Sequence, residues 1–385
     1  MHDFCVIRNE IWFTVNECNK IFNYDIEKRK LSTVARFPGV ILNKANLFSS
    51  VEYYNEKIFF IPFISDKVYI YNIKNNEFET IYLSMDKNVA CNYCSCFIDH
   101  NSLYLIPICR EDILKINMDT YTQEYVWHIK KYLKINDKNK TNVFFNNQSC
   151  RCGENLINFI SETKIILVLN LVKQKIRIKR LDDWFQNIIA ICGNGNDIFC
   201  LERATGNLIK WNIISDNITY LEINYENADT NSVSEILNIR YQGSVYSVFR
   251  DNHIYLCPDL GSVCIEIDMK TKSAYTLIEN GAQSSDSRFL NSKMHLAHGK
   301  INFFYGAESS FVTIDEKDLI KKEEILLSEE EIKMLRKEIM EEAVMKEDSR
   351  ICDAKLFIEM NLKQEKLSDV ENAGNRIFRK IKGEC

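Results

Sequence analysis

A chain of 385 residues with 46% hydrophobic and 11% aromatic side chains has material for one large packed domain plus an appendage, which excludes global disorder. Its formal net charge of −5 argues against a general nucleic-acid binder, which needs a basic footprint to displace counterions from phosphates. No apolar run reaches the roughly 18 residues of a transmembrane helix, and Met1-His2-Asp3-Phe4 opens no basic-then-apolar export signal, so a cytoplasmic location is expected.

Fourteen cysteines are scattered inside apolar runs such as Ile189 to Cys192 and Ile198 to Leu201, which suits free buried thiols in a reducing compartment. Heavy use of Ile, Lys and Asn beside only four prolines reads as the coding bias of an AT-rich bacterial genome.

Taken in chain order, the apolar runs come in pairs. Ile11 to Phe13 precedes Ile21 to Asp25, and Ile58 to Pro62 precedes Val68 to Asn72. Leu103 to Pro107 is followed by Ile113 to Asn117, Leu156 to Phe159 by Ile165 to Asn170, and Ile198 to Cys200 by Leu208 to Asn212. Ile254 to Pro258 then leads to Val263 to Asp268, and Ile301 to Phe304 to Phe311 to Asp315. Three of the four prolines close the first run of a pair, where no ladder N–H is needed.

Seven anchors end the second runs: Asp25, Asn72, Asn117, Asn170, Asn212, Asp268 and Asp315, spaced about 48 residues apart on average. An Asn or Asp at a strand end can accept the backbone N–H two residues on, turning the chain into the next hairpin strand. A small-residue-rich strand before each pair and a polar alternating strand after it complete four strands per unit. Seven such units predict an all-β, seven-bladed propeller over residues 1–327, with six or eight blades as alternatives because 225–240 is ambiguous. The pattern resembles kelch-like bacterial propellers over residues 3 to about 327, although no unit carries the Gly-Gly pair of kelch blades. That resemblance implies the radial architecture.

At Leu327 the pattern changes. Ser328 and Glu331 form a capping box, and Ile332, Leu335 and Ile339 begin an apolar stripe at helical spacing. A further stripe carries Ile377 and Ile381. Residues 328–385 therefore read as an α-helical tail, docked on the propeller rim or offered to a protein partner through these five residues.

The densest reactive cluster is Cys94 and Cys96 with Cys150 and Cys152. Strand alternation would place each pair on one face, and four thiolates could hold a metal. The spacing matches no zinc-ribbon pattern, and small residues on crowded inner strands explain the cysteines more simply, so no metal or cofactor is expected. His295 and His298 face opposite sides of a strand, and they and His253 read as structural. With no catalytic constellation, the expectation is a non-enzymatic interaction scaffold with a protein partner. The alternative is a carbohydrate-binding or carbohydrate-processing propeller linked to polysaccharide assembly.

Overall fold

The computed structural model of the chain describes residues 3–346 apart from 16–17, 41–46, 64, 84–92, 108–111, 130–144, 161–162, 182–186, 238–244, 260–262, 279–292 and 306–309. Within it, seven four-stranded antiparallel sheets follow one another along the chain, each built from four consecutive strands. The molecule is a seven-bladed β-propeller. The inner strands of blades one to seven are Phe4–Ile7, Phe48–Tyr54, Tyr93–Asp99, Phe145–Cys152, Ile188–Asn194, Val245–Arg250 and His295–Ala297. Four antiparallel strands return the chain to the end from which it left, so every inner strand starts at the same end of the central axis.

Second and third strands are covered on both faces by neighbouring blades, which is why they read as unbroken apolar runs rather than alternating ones. Lys57–Pro62 and Ser102–Pro107 show this, with every residue from Ile58 to Pro62 and from Ser102 to Pro107 buried. The core is accordingly divided among seven clusters, one at each blade-to-blade interface. Outer strands alternate, as at Lys175–Arg180, because successive side chains point to opposite faces and one face is more open to water.

The anchors form the turns after the third strands. Asn72 accepts Lys74 N–H at 3.0 Å, Asn117 accepts Asp119 N–H at 3.0 Å and Asn170 accepts Lys173 N–H at 2.6 Å. Asn212, Asp268 and Asp315 accept Ser215, Lys270 and Lys317 N–H at 2.9, 2.8 and 2.8 Å. Asp25 takes Lys28 N–H at 2.9 Å. These bonds hold the tight turn that starts the outer strand.

Residues 225–240 belong to the connection between blades five and six. There Asn224 pairs in parallel with Ser273, adding a bridge to the outer edge of blade six, and α1 (Thr230–Leu237) buries Ile236 in the interface cluster. An exposed edge is thereby partly covered.

The ring closes without exchanging a strand, since blades one and seven are each formed from consecutive residues. Phe4 meets Phe311 edge-on at 5.3 Å, and the Tyr24 hydroxyl donates to Glu323 at 3.3 Å. α2 (Glu329–Lys346) then packs on this seam: Ile332 and Leu335 join the cluster of Phe4, Phe13, Phe22 and Phe311. Ser328 Oγ accepts Glu331 N–H at 3.2 Å, and Glu331 accepts Thr33 N–H from blade one at 3.2 Å. Lys20, itself buried, pairs with Glu338 at 2.5 Å. The Ile339 side chain and all of Ile377 and Ile381 lie outside the described residues. No described helix is long and apolar enough to cross a membrane.

Candidate functional site

Side chains crowd the axis lined by the inner strands, and there the chain brings together interacting charges from blades one, two and seven. Asp3, just ahead of the blade-one inner strand, is 3% exposed. Its carboxylate accepts Phe4 N–H at 3.0 Å and Val51 N–H at 3.4 Å, so blades one and two both hold it. Blade seven supplies the rest. Lys293 Nζ lies 3.2 Å from Asp3 Oδ2 and also donates to Ser50 Oγ, while His295 Nε2 lies 2.6 Å from Asp3 Oδ1. The imidazole packs edge-on against Phe4 at 4.6 Å.

Burial alone would raise the Asp3 carboxyl, but Lys293, His295 and the Phe4 amide together hold it down at about 2. Glu52, half-buried two residues along from Ser50, moves the other way. Burial and the nearby Asp3 charge lift it to about 7, against the pull of His295 and Lys293. Two carboxyls on neighbouring strands thus differ widely in acidity because one is ringed by donors and the other is not. Lys293 is raised despite its burial, chiefly by Asp3.

Thiols complete the surroundings. Cys96 Sγ donates to Glu52 Oε1 at 3.7 Å, and burial and Glu52 push the thiols of both Cys96 and Cys5 well up, keeping them protonated. Elsewhere among the inner strands, Gln148 of blade four donates to the Ser247 carbonyl of blade six at 2.6 Å, skipping blade five.

The four cysteines singled out in the sequence do not gather. Alternation would put Cys94 and Cys96 on one face, but they belong to different interfaces. The reason is a β-bulge: Ile106 pairs with Ser95 and Pro107 with Tyr93, so Cys94 is the extra residue and the side-chain phase inverts there. Cys94 Sγ instead meets the Ile106 carbonyl at 3.5 Å. Cys150 and Cys152 do share a face, in the interface with blade five, where Cys152 donates to the Gly195 carbonyl at 2.6 Å. Burial raises both thiols. Among the described residues no group of three or more His, Cys, Asp and Glu is arranged to hold a metal ion.

His298 sits past the inner-strand end in a left-handed turn conformation, φ 50°, and His253 opens a second strand beside Glu266. His295 differs from both, since its partner, Asp3, lies at the far end of the sequence. Sequence reasoning missed Asp3, Glu52 and Lys293. No local pattern marks them; only the repeat itself, by putting residues 3, 50, 52, 96 and 293 on or just ahead of inner strands, could have pointed there.

No known family profile matches this chain, and no curated protein matches it. Solved structures similar to it are propellers. Virginiamycin B lyase from Staphylococcus aureus superposes with a TM-score of 0.55 at 12% identity, covering 83% of this chain and 93% of the lyase. A catalytically inactive form of that lyase with quinupristin gives 0.56 over the same shares, also at 12% identity. YCF48 from Cyanidioschyzon merolae gives 0.54 at 12% identity, covering 84% of this chain and 94% of its own. At that identity the likeness defines the class of protein, a seven-bladed β-propeller, and nothing finer.

Proposed function

We propose that this chain is a non-enzymatic interaction module, a kelch-like bacterial propeller that binds a protein partner in the cytoplasm. The observation that carries the reading is the distribution of exposed tyrosines. Tyr82, Tyr125, Tyr220 and Tyr275 all lie on outermost strands, of blades two, three, five and six, and Tyr82 is 64% exposed. Tyrosine offers a large amphipathic contact surface at small entropic cost and is enriched at protein interfaces. The neighbours in fold include a lyase and YCF48 at 12% identity, so the architecture alone selects no chemistry.

The first turns of the tail are used in cis, since Ile332 and Leu335 are buried on the seam. This moves the partner surface to the blades and to whatever the remaining stripe, Ile339, Ile377 and Ile381, offers. A sugar platform would set exposed aromatic planes near the Asp3 and Glu52 carboxyls; Tyr53, 38% exposed, stands next to Glu52 on the blade-two inner strand, whereas these four tyrosines stand on outermost strands.

The test is affinity purification from the native host with the full chain and with a Tyr82→Ser, Tyr125→Ser double variant. A stoichiometric partner retained by the first and lost from the folded second supports the reading. No partner with either, together with capture of a glycan in a carbohydrate screen, overturns it.

A further inference from the structure

The turn that follows each third strand recurs seven times at one end of the propeller, giving seven equivalent positions. Two residues past the anchor, five blades carry an exposed charge: Glu27, Lys74, Asp119, Lys270 and Lys317. Blades four and five, which are neighbours, carry Val172 and Ile214 there instead, 65% and 74% exposed. The residues just before them, Leu171 and Ile213, are buried in the two interfaces beneath. Packing accounts for Leu171 and Ile213 but not for Val172 and Ile214.

Arg177 ties the two turns together. It stands on the blade-four outer strand, Lys175–Arg180, which follows the Val172 turn, and it reaches blade five. There Nη1 donates to the Ile213 carbonyl at 3.1 Å and Nη2 meets Asp216 Oδ1 at 2.6 Å. Lys179 Nζ lies 3.1 Å from the same oxygen, which also accepts Trp211 Nε1–H at 2.8 Å. Lys175 shares their strand face by alternation, whereas Ile176 and Ile178 turn to the interface with blade three. Cations therefore border the aliphatic pair on the blade-four side.

Residues 171–181 hold five cations and no acid, in a chain whose net charge is −5. Asp216 pairs with two of them. Glu154, whose carbonyl accepts Leu171 N–H at 2.9 Å, brings a second carboxylate to the Val172 turn. Lys210 and Asp197 on blade five pair with each other at 2.7 Å. The local balance is positive, beside exposed aliphatic side chains. Cations on an edge strand discourage stray strand pairing, but that role leaves Val172 and Ile214 unexplained. A flat anionic membrane would also press Glu27 and Asp119, at the same end, against its headgroups. An occupant of peptide size meets no such repulsion.

We propose that the outer turns of blades four and five, with the cationic blade-four outer strand, dock an acidic peptide segment of a partner protein. An aliphatic side chain of that segment meets Val172 and Ile214, and its carboxylates meet Lys173 and Lys175. The inference rests on the reading of the chain as a binder of protein partners and names the chemistry of one binding surface.

The full chain is panned against a phage-displayed random decapeptide library, and selected peptides are labelled with fluorescein and titrated by fluorescence polarisation. Selection is expected to enrich peptides that combine several Asp or Glu with Leu, Ile or Val. A Val172→Ser, Ile214→Ser double variant and, separately, Lys175→Glu are each expected to weaken binding by about tenfold or more, and added salt to weaken it further. All three side chains are exposed, so these variants leave the core intact. No enriched peptide, enrichment of basic or uncharged peptides, or binding that either variant retains in full overturns the proposal. So does sedimentation with phosphatidylserine-containing vesicles that the double variant loses, which assigns the face to a membrane. Self-association that the double variant loses assigns it to a second copy and overturns the proposal as well. If a partner from the host is captured equally by the chain and by the double variant, this inference fails while the protein-binding reading stands.

Discussion

His295 Nε2 and Asp3 Oδ1 stand 2.6 Å apart although 292 residues separate them. Together with Lys293 on the same carboxylate, this contact joins the seventh blade to the first at the axis, where no strand is exchanged to do so. Removing the Asp3 charge strands a buried ammonium between blades. Asp3→Asn is therefore expected to destabilise the ring by about 3–5 kcal/mol. Urea denaturation near pH 7 checks it, and a midpoint unchanged from the parent would show that the seam is held by packing alone.

The two carboxyls give opposite pH dependences. Asp3, held at about 2 in the folded chain, contributes stability that is full above its ordinary carboxylate value and is lost as pH falls towards 2. Glu52, raised to about 7, favours the folded state fully below its ordinary value of 4.5 and loses that contribution as pH rises through 7. Between pH 4.5 and 7.5 the loss amounts to up to about 3 kcal/mol. The melting temperature should accordingly fall over that interval, and E52Q should remove most of the decline. An unchanged slope in E52Q would assign the decline to another group.

α2 is expected to be a working part of the domain. Leu335 is 2% exposed and lies among aromatic residues of blades one and seven, so Leu335→Ala should cost about 2–5 kcal/mol. Ser328→Ala, which removes the cap of the same helix, should cost about 1 kcal/mol. Hydrogen exchange of the Leu335→Ala variant should rise first in blades one and seven. An increase spread evenly over all seven blades would mean that the seam is no weaker than the other interfaces.

The anchors invite a comparison. Asn212 accepts Ile214 and Ser215 N–H and donates Nδ2 to Asp197 at 2.8 Å, whereas among the described residues the Asn72 side chain makes the turn contact to Lys74 N–H alone. Asn212→Ala should cost about 2 kcal/mol and Asn72→Ala about 1. Thermal denaturation of the two variants decides the order.

Burial raises the thiols of Cys5, Cys96, Cys150, Cys192 and Cys200, and a protonated, enclosed thiol is a poor nucleophile. Iodoacetamide at pH 8 should leave these five unmodified in the native chain and label them after denaturation, read residue by residue by mass spectrometry. Rapid native labelling of Cys96 would place a thiolate at the axis.

The features legible in the sequence are those governed by short-range chemistry. The seven Asx turns each form within about four residues of their anchor, and the capping box of Ser328 and Glu331 closes within one helical turn, so residue type and spacing suffice to reveal them. Repetition of the apolar pairs then implies radial architecture, because a sheet covered on both faces needs neighbours like itself. Tertiary structure decided the rest. A single bulge in the blade-three inner strand separates Cys94 from Cys96, and strand alternation cannot foresee an inserted residue. The meeting of Asp3, Glu52, Lys293 and His295 depends on how the ring closes, and closure brings together residues from opposite ends of the chain that no local pattern connects.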